Sequence, residues 1–300
     1  MIDRIAVRRR FARAAPHYAG ASRLEAEVGM RMLERLDYVK LAPLRVLDAG
    51  CGPAREAGAL RARYAGAQLV LLDAALPMLR IARPAGGLLS RLLSRRAPLA
   101  VCGDLERLPL AASCIGLAWS NMALHWAADA LSAIRELHRV LMPEGLLMFS
   151  TLGPDTLKEL RAVAGAARVH AFADMHDIGD MLVAAGFADP VMDAERVTFT
   201  YADGRALLAD LRASGQTCAL AARQRSLAGK GFLSALTGGL DRLRRAGRLE
   251  TTFEVVYGHA WKAAPARAAD GRAIVRFERA RSAAGRTRRR KNGVAARRFS

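Results

Sequence analysis

The sequence predicts an α/β chain built on a doubly wound, seven-stranded and mostly parallel sheet. Three observations carry this. Short apolar runs closed by a polar residue recur over 44–151, each separated from the next by a helix-like segment. Strands alternating with helices make a parallel sheet whose right-handed crossovers cover both faces. The first run leads into a tight turn, Gly50-Cys51-Gly52, ahead of a helix, and two alternating stretches at 191–201 and 251–261 supply the last two strands.

Taken in order, residues 1–42 form an N-terminal helical segment, with Leu24, Val28, Met32 and Leu36 at helical spacing. Pro43 then opens the main domain, 43–262. The strand at 44–48 ends on Asp48, and 56–64 reads as the helix after the glycine turn. The run 68–72 closes on Asp73, and Pro77 opens a helix at 77–82. Residues 99–103 end at Asp104, and 114–119 give way to Ser120-Asn121. A helix at 131–141 leads through Pro143-Glu144-Gly145 to a strand at 146–151. Another helix, 174–185, stops at Gly186. Residues 202–249 are helical, rich in Arg and Gly, and fit no strand pattern, so an inserted lid is expected there.

Composition narrows the function classes. A hydrophobic fraction of 52% supports a packed core, and no apolar run is long enough to span a bilayer. The N-terminus is basic but lacks the apolar stretch of a signal peptide, so a cytoplasmic address is expected. Cys51, Cys102, Cys114 and Cys218 are scattered without metal-ligand spacing, which reads as free thiols and no metal site. His138, His170, His176 and His259 do not cluster as ligands either. The net charge of +19 is concentrated at the end: 263–300 carries twelve Lys or Arg against Asp270 and Glu278. A basic, disordered tail is expected there, giving at most weak attraction to nucleic acid.

In open α/β sheets a ligand sits beyond the carboxyl ends of the strands, where strand order reverses. Those ends carry Asp48 with Gly50-Cys51-Gly52, then Asp73 with Ala74, then Asp104 with Leu105, then Asn121. Glycines let the backbone approach a ligand, and an acid after the second strand suits a ribose diol. A polar residue after the third strand can read an adenine amino group, with Leu105 and Met78 on the ring faces. The turn lacks the third glycine of a dinucleotide site, and Asp48 would repel a pyrophosphate. A sulfonium cation with an amino-acid tail suits it better, so S-adenosylmethionine is expected over a nicotinamide dinucleotide.

These residues carry a resemblance. The segment Val46-Leu47-Asp48-Ala49-Gly50-Cys51-Gly52-Pro53-Ala54, with Asp73 and Gly103-Asp104, resembles class I methyltransferases. More narrowly, Phe11-Ala12-Arg13-Ala14-Ala15-Pro16-His17-Tyr18 and Trp119-Ser120-Asn121-Met122-Ala123-Leu124-His125-Trp126 are similar to the malonyl-acyl-carrier-protein O-methyltransferases of biotin synthesis. The match runs from about Phe11 to about Trp261. It departs at Ala54, where that family usually has glycine.

The resemblance implies methyl transfer from S-adenosylmethionine to a malonyl carboxylate, with an acidic acyl carrier protein as partner. A carboxylate is already ionised at neutral pH, so no catalytic base is expected, and proximity and orientation do the work. Tyr18, His125, Trp126, Arg135 and Arg139 are the substrate candidates. Arg212, Arg223, Arg225, Lys230, Arg242, Arg244, Arg245 and Arg248 make the inserted segment basic, as steering of an acidic carrier would require. Two alternatives stay open: a relative acting on another small carboxylic acid, and an assembly-factor or hydroxylase-type relative. A nucleic-acid methyltransferase is disfavoured, because Ser120-Asn121-Met122-Ala123 replaces the acceptor loop of amino-directed enzymes.

Overall fold

The first strand, β1 (Arg45–Ala49), divides its side chains between two cores. Val46 joins Leu71, Leu117 and Leu146 on one face of the sheet. Leu47 and Ala49 join Leu72, Ala118 and Leu147 on the other. A pleated strand buried on both sides requires this division. The other strands are β2 (Gln68–Asp73), β3 (Leu99–Cys102), β4 (Ile115–Ser120), β5 (Leu141–Leu152), β6 (Phe187–Tyr201) and β7 (Leu249–Lys262). This computed structural model describes residues 1–82, 97–224 and 229–264. The expected basic tail lies outside them from residue 265 onward, as does Arg225.

The seven strands form one sheet in the order β3-β2-β1-β4-β5-β7-β6. The first five pair in parallel, and β7 runs antiparallel to both β5 and β6. Strand order reverses between β1 and β4, so the glycine turn after β1 and Asn121 after β4 meet at the switch point.

Helices cover both faces. One core holds α2 (Arg23–Leu36) through Leu24, Val28, Met32 and Leu36, with α3 (Ala57–Arg63) through Leu60. The other holds α5 (Ala130–Val140) and α7 (Met175–Ala184) through Leu137, Ile178 and Leu182. Asp129 and Asp174 cap these two by accepting the N–H groups of Ser132 and His176. The remaining helices are α1 (Arg4–Ala21), α4 (Leu76–Ala82), α6 (Lys158–Ala164), α8 (Gly204–Ala213) and α9 (Lys230–Asp241). No helix among the described residues is long and apolar enough to cross a membrane.

Three boundaries differ from expectation, each for a local reason. The N-terminal segment is two helices, α1 and α2, because Ser22 leaves helical geometry at ψ 56° and is fully buried. β5 starts at Leu141 rather than at 146, with Glu144 at φ +62° and a register shift against β4. β6 starts at Phe187 rather than at 191, across an irregularity between Ala188 and Val191 where Asp189 has φ +49°. In both strands a bulge carries pairing past a turn-like sequence.

Candidate active site

The turn after β1 is built around one carbonyl. Leu72 O accepts from the N–H groups of Gly50 at 2.8 Å and Cys51 at 2.9 Å. Gly50 has φ +80°, and a Cβ there would lie 2.3 Å from the Cβ of Ala123. No other residue fits. The Gly52 N–H donates to Asp73 Oδ2 at 2.9 Å, and the Ala75 N–H donates to Oδ1 at 2.7 Å. Asp73 is thereby locked at the tip of β2, and burial pushes its pKa up to about 6.

These groups border a cavity of about 410 Å³. Gly50, Gly52, Asp73, Ala74, Met78, Asp104, Leu105 and Asn121 all line it. Asp48 and Cys51, expected at the ligand, lie behind this surface instead. Neither lines the cavity, and Asp48 is 1% exposed. Burial raises the Cys51 thiol well above its ordinary pKa, with Asp48 and Asp73 adding to the shift, so no thiolate nucleophile is poised there.

Asn121 and Tyr18, which line the cavity, are bonded to buried acids. Asn121 Nδ2 donates to Glu25 O at 2.9 Å and to Glu56 Oε1 at 3.4 Å, while Ser150 Oγ donates to Asn121 Oδ1 at 2.9 Å. Tyr18 OH donates to Glu25 Oε1 at 3.3 Å, and Gln216 Nε2 donates to the same oxygen. Burial raises the pKa values of Glu25, Asp48 and Glu56. None of the four carboxyl groups, Glu25, Asp48, Glu56 and Asp73, forms an ion pair among the described residues. Glu25 Oε2 and Asp48 Oδ2 are buried without any hydrogen-bond partner. Buried acids left this way fit a cationic ligand. S-adenosylmethionine carries such charges in its sulfonium and ammonium groups.

Elsewhere on the lining Asp104 Oδ2 accepts from Arg4 at 3.1 Å and Oδ1 accepts the Glu106 N–H at 3.0 Å. Leu105 and the buried Met78 supply apolar walls there. Helix α1 closes the outer side with Arg4, Phe11 and Tyr18, and a Cβ on Gly52 would lie 3.6 Å from Tyr18 Cε1.

The acceptor candidates divide. Trp126 lines the cofactor cavity and also a second cavity of about 800 Å³. Its ring packs at 5.1 Å from Phe11 and 5.2 Å from His170. His125 lines neither cavity; its ring lies beside Trp126, with Nδ1 at 3.5 Å from Thr151 Oγ1. Burial lowers its pKa to about 3, so it is neutral. Arg135 and Arg139 are not at the site. Arg135 is exposed on α5, and Arg139 is occupied by both oxygens of Glu136 and the carbonyls of Leu108 and Leu110. The basic group in the inserted segment divides as well. Arg212 and Arg223 line the second cavity, whereas Arg242, Arg244, Arg245 and Arg248 do not. Arg248 holds Thr200 O, and Arg244 holds Gly247 O.

Sequence reading missed Arg4, Glu25, Glu56 and Gln216, which reach the site from helices and loops distant in the chain. Phe11, by contrast, stands in the quoted N-terminal segment, where only Tyr18 was singled out.

Comparison with known proteins decides the family. Residues 47–149 match a family described as "Methyltransferase domain". Malonyl-[acyl-carrier protein] O-methyltransferase of a Methylovorus strain is 52% identical over 266 residues, covering 87% of this chain and 90% of that protein. The enzyme of the same name from Gallionella capsiferriformans is 49% identical, covering 92% of this chain and 97% of its own length. This chain belongs to the malonyl-[acyl-carrier protein] O-methyltransferase family.

Membership makes it an S-adenosylmethionine-dependent methyltransferase, in accord with the acidic cavity. The fold agrees. The YcgJ protein of Bacillus subtilis superposes with a TM-score of 0.57 at 15% identity, covering 80% of this chain and 100% of that one. A putative methyltransferase of Bacillus halodurans gives 0.55 at 18% identity, covering 77% and 97%. Within this family member, the matched domain spans β1 to most of β5 and carries the cofactor cavity. Apart from Trp126, the residues that line the second cavity lie outside that domain, on α1, α6, α8 and α9 and in the segments around them.

Proposed function

We propose that the chain methylates the free carboxylate of a malonyl group carried as a thioester on acyl carrier protein, the step that opens pimeloyl synthesis for biotin. The observation that carries this is Trp126, standing between an acid-lined cavity and a larger apolar one that arginines border. Leu152, Leu157, Leu208, Leu211 and Phe232 suit an acyl thioester arm, and Arg9, Arg168 and Arg212 suit an acidic carrier at the mouth.

Bound S-adenosylmethionine supplies an electrophilic methyl group that a carboxylate oxygen takes directly from sulfur, with no proton to move. This chain's part is to bind, orient and exclude water. Glu25 and Glu56, bonded to Tyr18 and Asn121 of the cavity wall, suit the ammonium end of the donor. Asp73 fixes the ribose, and Met78 and Leu105 hold the adenine. Tyr18, Phe11 and Trp126 wall the transfer point. His125 and His170 stay neutral there, with pKa values lowered to about 3 and about 4 by burial. Neither competes as a cation with the sulfonium. Helices α8 and α9 cap the acceptor cavity. The reading places the chain in the cytoplasm with its carrier and requires neither membrane nor nucleic acid.

Mass spectrometry of malonyl-carrier protein incubated with enzyme and S-adenosylmethionine tests this. A gain of one methyl on malonyl-carrier and none on acetyl-carrier is expected. No methylation of the malonyl-carrier would overturn the proposal, and equal rates on malonyl-coenzyme A would remove the carrier from it.

A further inference from the structure

Resting on the acceptor proposed above, we infer that Arg10 is the specificity-determining residue that receives the acceptor's carboxylate. The second cavity holds the basic side chains Arg9, Arg10, Arg168, Arg212 and Arg223, and among the described residues no acidic one lines it. Their positions separate their roles. Arg9 and Arg212 are exposed at its edge. Arg223 is paired with Asp3 at 2.9 Å. Arg168 lies 4.0 Å over the Phe232 ring and donates to Gln224. Arg10 remains. It is half-buried, donates to a neutral partner, Thr217 O, at 2.6 Å, and forms no ion pair among the described residues.

Its place on α1 gives that charge a direction. Phe11, the next residue, lines the cofactor cavity and packs at 5.1 Å from Trp126. Two consecutive residues of one helix thus face the two cavities, with Trp126 between them. His170, which packs against Trp126, has its pKa lowered by burial and then by the charge of Arg10. Arg10 therefore sits where an acceptor entering past the apolar walls would present its free end to the donor.

A carboxylate cannot be buried in such a cavity unpaired. A guanidinium with donors to spare can hold one in a two-pronged fashion and fix the direction of its second oxygen. Methylation removes the negative charge. The same contact that admits the substrate is then lost by the ester, so Arg10 discriminates malonyl from acetyl thioesters on entry and substrate from product on exit.

The test compares two neutral-backbone probes, malonyl-pantetheine and its methyl ester, by calorimetry in the presence of S-adenosylhomocysteine. Native enzyme is expected to prefer the malonyl form by about tenfold or more, the scale of one charge-assisted contact. In Arg10→Gln that preference collapses while affinity for the ester and for S-adenosylhomocysteine is retained, and Arg10→Lys restores part of it. If Arg10→Gln keeps the preference, or loses both probes equally, the assignment falls and the proposed reaction stands. If native enzyme ignores malonyl-pantetheine and malonyl-carrier alike, the proposed acceptor falls and Arg10's role with it.

Discussion

Asp73, the proposed ribose acceptor, is aimed by two backbone N–H groups, and burial raises its pKa to about 6. Asp73→Asn should weaken S-adenosylhomocysteine binding about tenfold or more at neutral pH, read by calorimetry, through loss of charge-assisted bonds to the ribose. In the native enzyme affinity should fall as pH drops through about 6, where the acceptor oxygens become protonated, and the Asn variant should show a flatter profile. The stability effect runs the other way. A carboxyl with a raised folded pKa favours the fold below the ordinary carboxylate range, and that contribution is lost as pH rises toward 6. Ala54 offers a second test. It holds φ +59°, a conformation costly for any residue with a Cβ. Ala54→Gly should stabilise the protein by roughly 0.5–1 kcal/mol in chemical denaturation, the gain being reduced by glycine's larger unfolded-state entropy. At this scale the sequence showed Asp73 and the glycines clearly, since strand ends mark them. It could not show that Asp48 is buried away from the cavity lining, because side chains alternate between faces and only the folded turn reveals which surface a ligand meets.

Beside the cavity, α2 packs closely against the switch point. Gly29 on α2 is the clearest case: a Cβ there would lie 2.3 Å from Glu56 Oε1 and 2.9 Å from Asn121 Nδ2. Gly29→Ala should cost about 1–3 kcal/mol in denaturant and also weaken S-adenosylhomocysteine binding, because the displaced Asn121 lines the cavity and Glu56 is bonded to it. Loss of stability with unchanged binding would show that α2 only supports the fold. Strands and amphipathic helices were legible from periodicity, and α2, α5 and α7 lie close to where it placed them. Arg135 and Arg139 mislead for the same reason: helical spacing puts them on neighbouring positions of α5 but does not say that Glu136 and the Leu108 and Leu110 carbonyls claim one of them. Glu25 and Gln216 escaped notice because they meet only through packing of α2 against the segment after α8.

On the scale of the whole molecule, a proposed donor half built on β1 to β5 is joined to a proposed acceptor half bordered by α6, α8 and α9, with α1 lining both cavities and Trp126 as the wall between them. Trp126→Ala should merge the two cavities and lower kcat about tenfold or more, while S-adenosylhomocysteine affinity changes only severalfold; equal losses in both would make Trp126 a packing residue alone. The donor half was legible because its motifs repeat at every strand end, whereas the acceptor half was read only as a helical insertion. Its residues come from both ends of the domain, and nothing local in 202–249 announces the helix α1 that completes the cavity. The claim beneath all of this is that the acid-lined cavity at the β1–β4 switch point holds the methyl donor. A crystal structure with S-adenosylhomocysteine bound tests it most directly. The ribose diol should rest on Asp73, the adenine between Met78 and Leu105, and the amino-acid end toward Glu25 and Asn121; a ligand bound elsewhere, or with its adenine among the acids, would contradict the account.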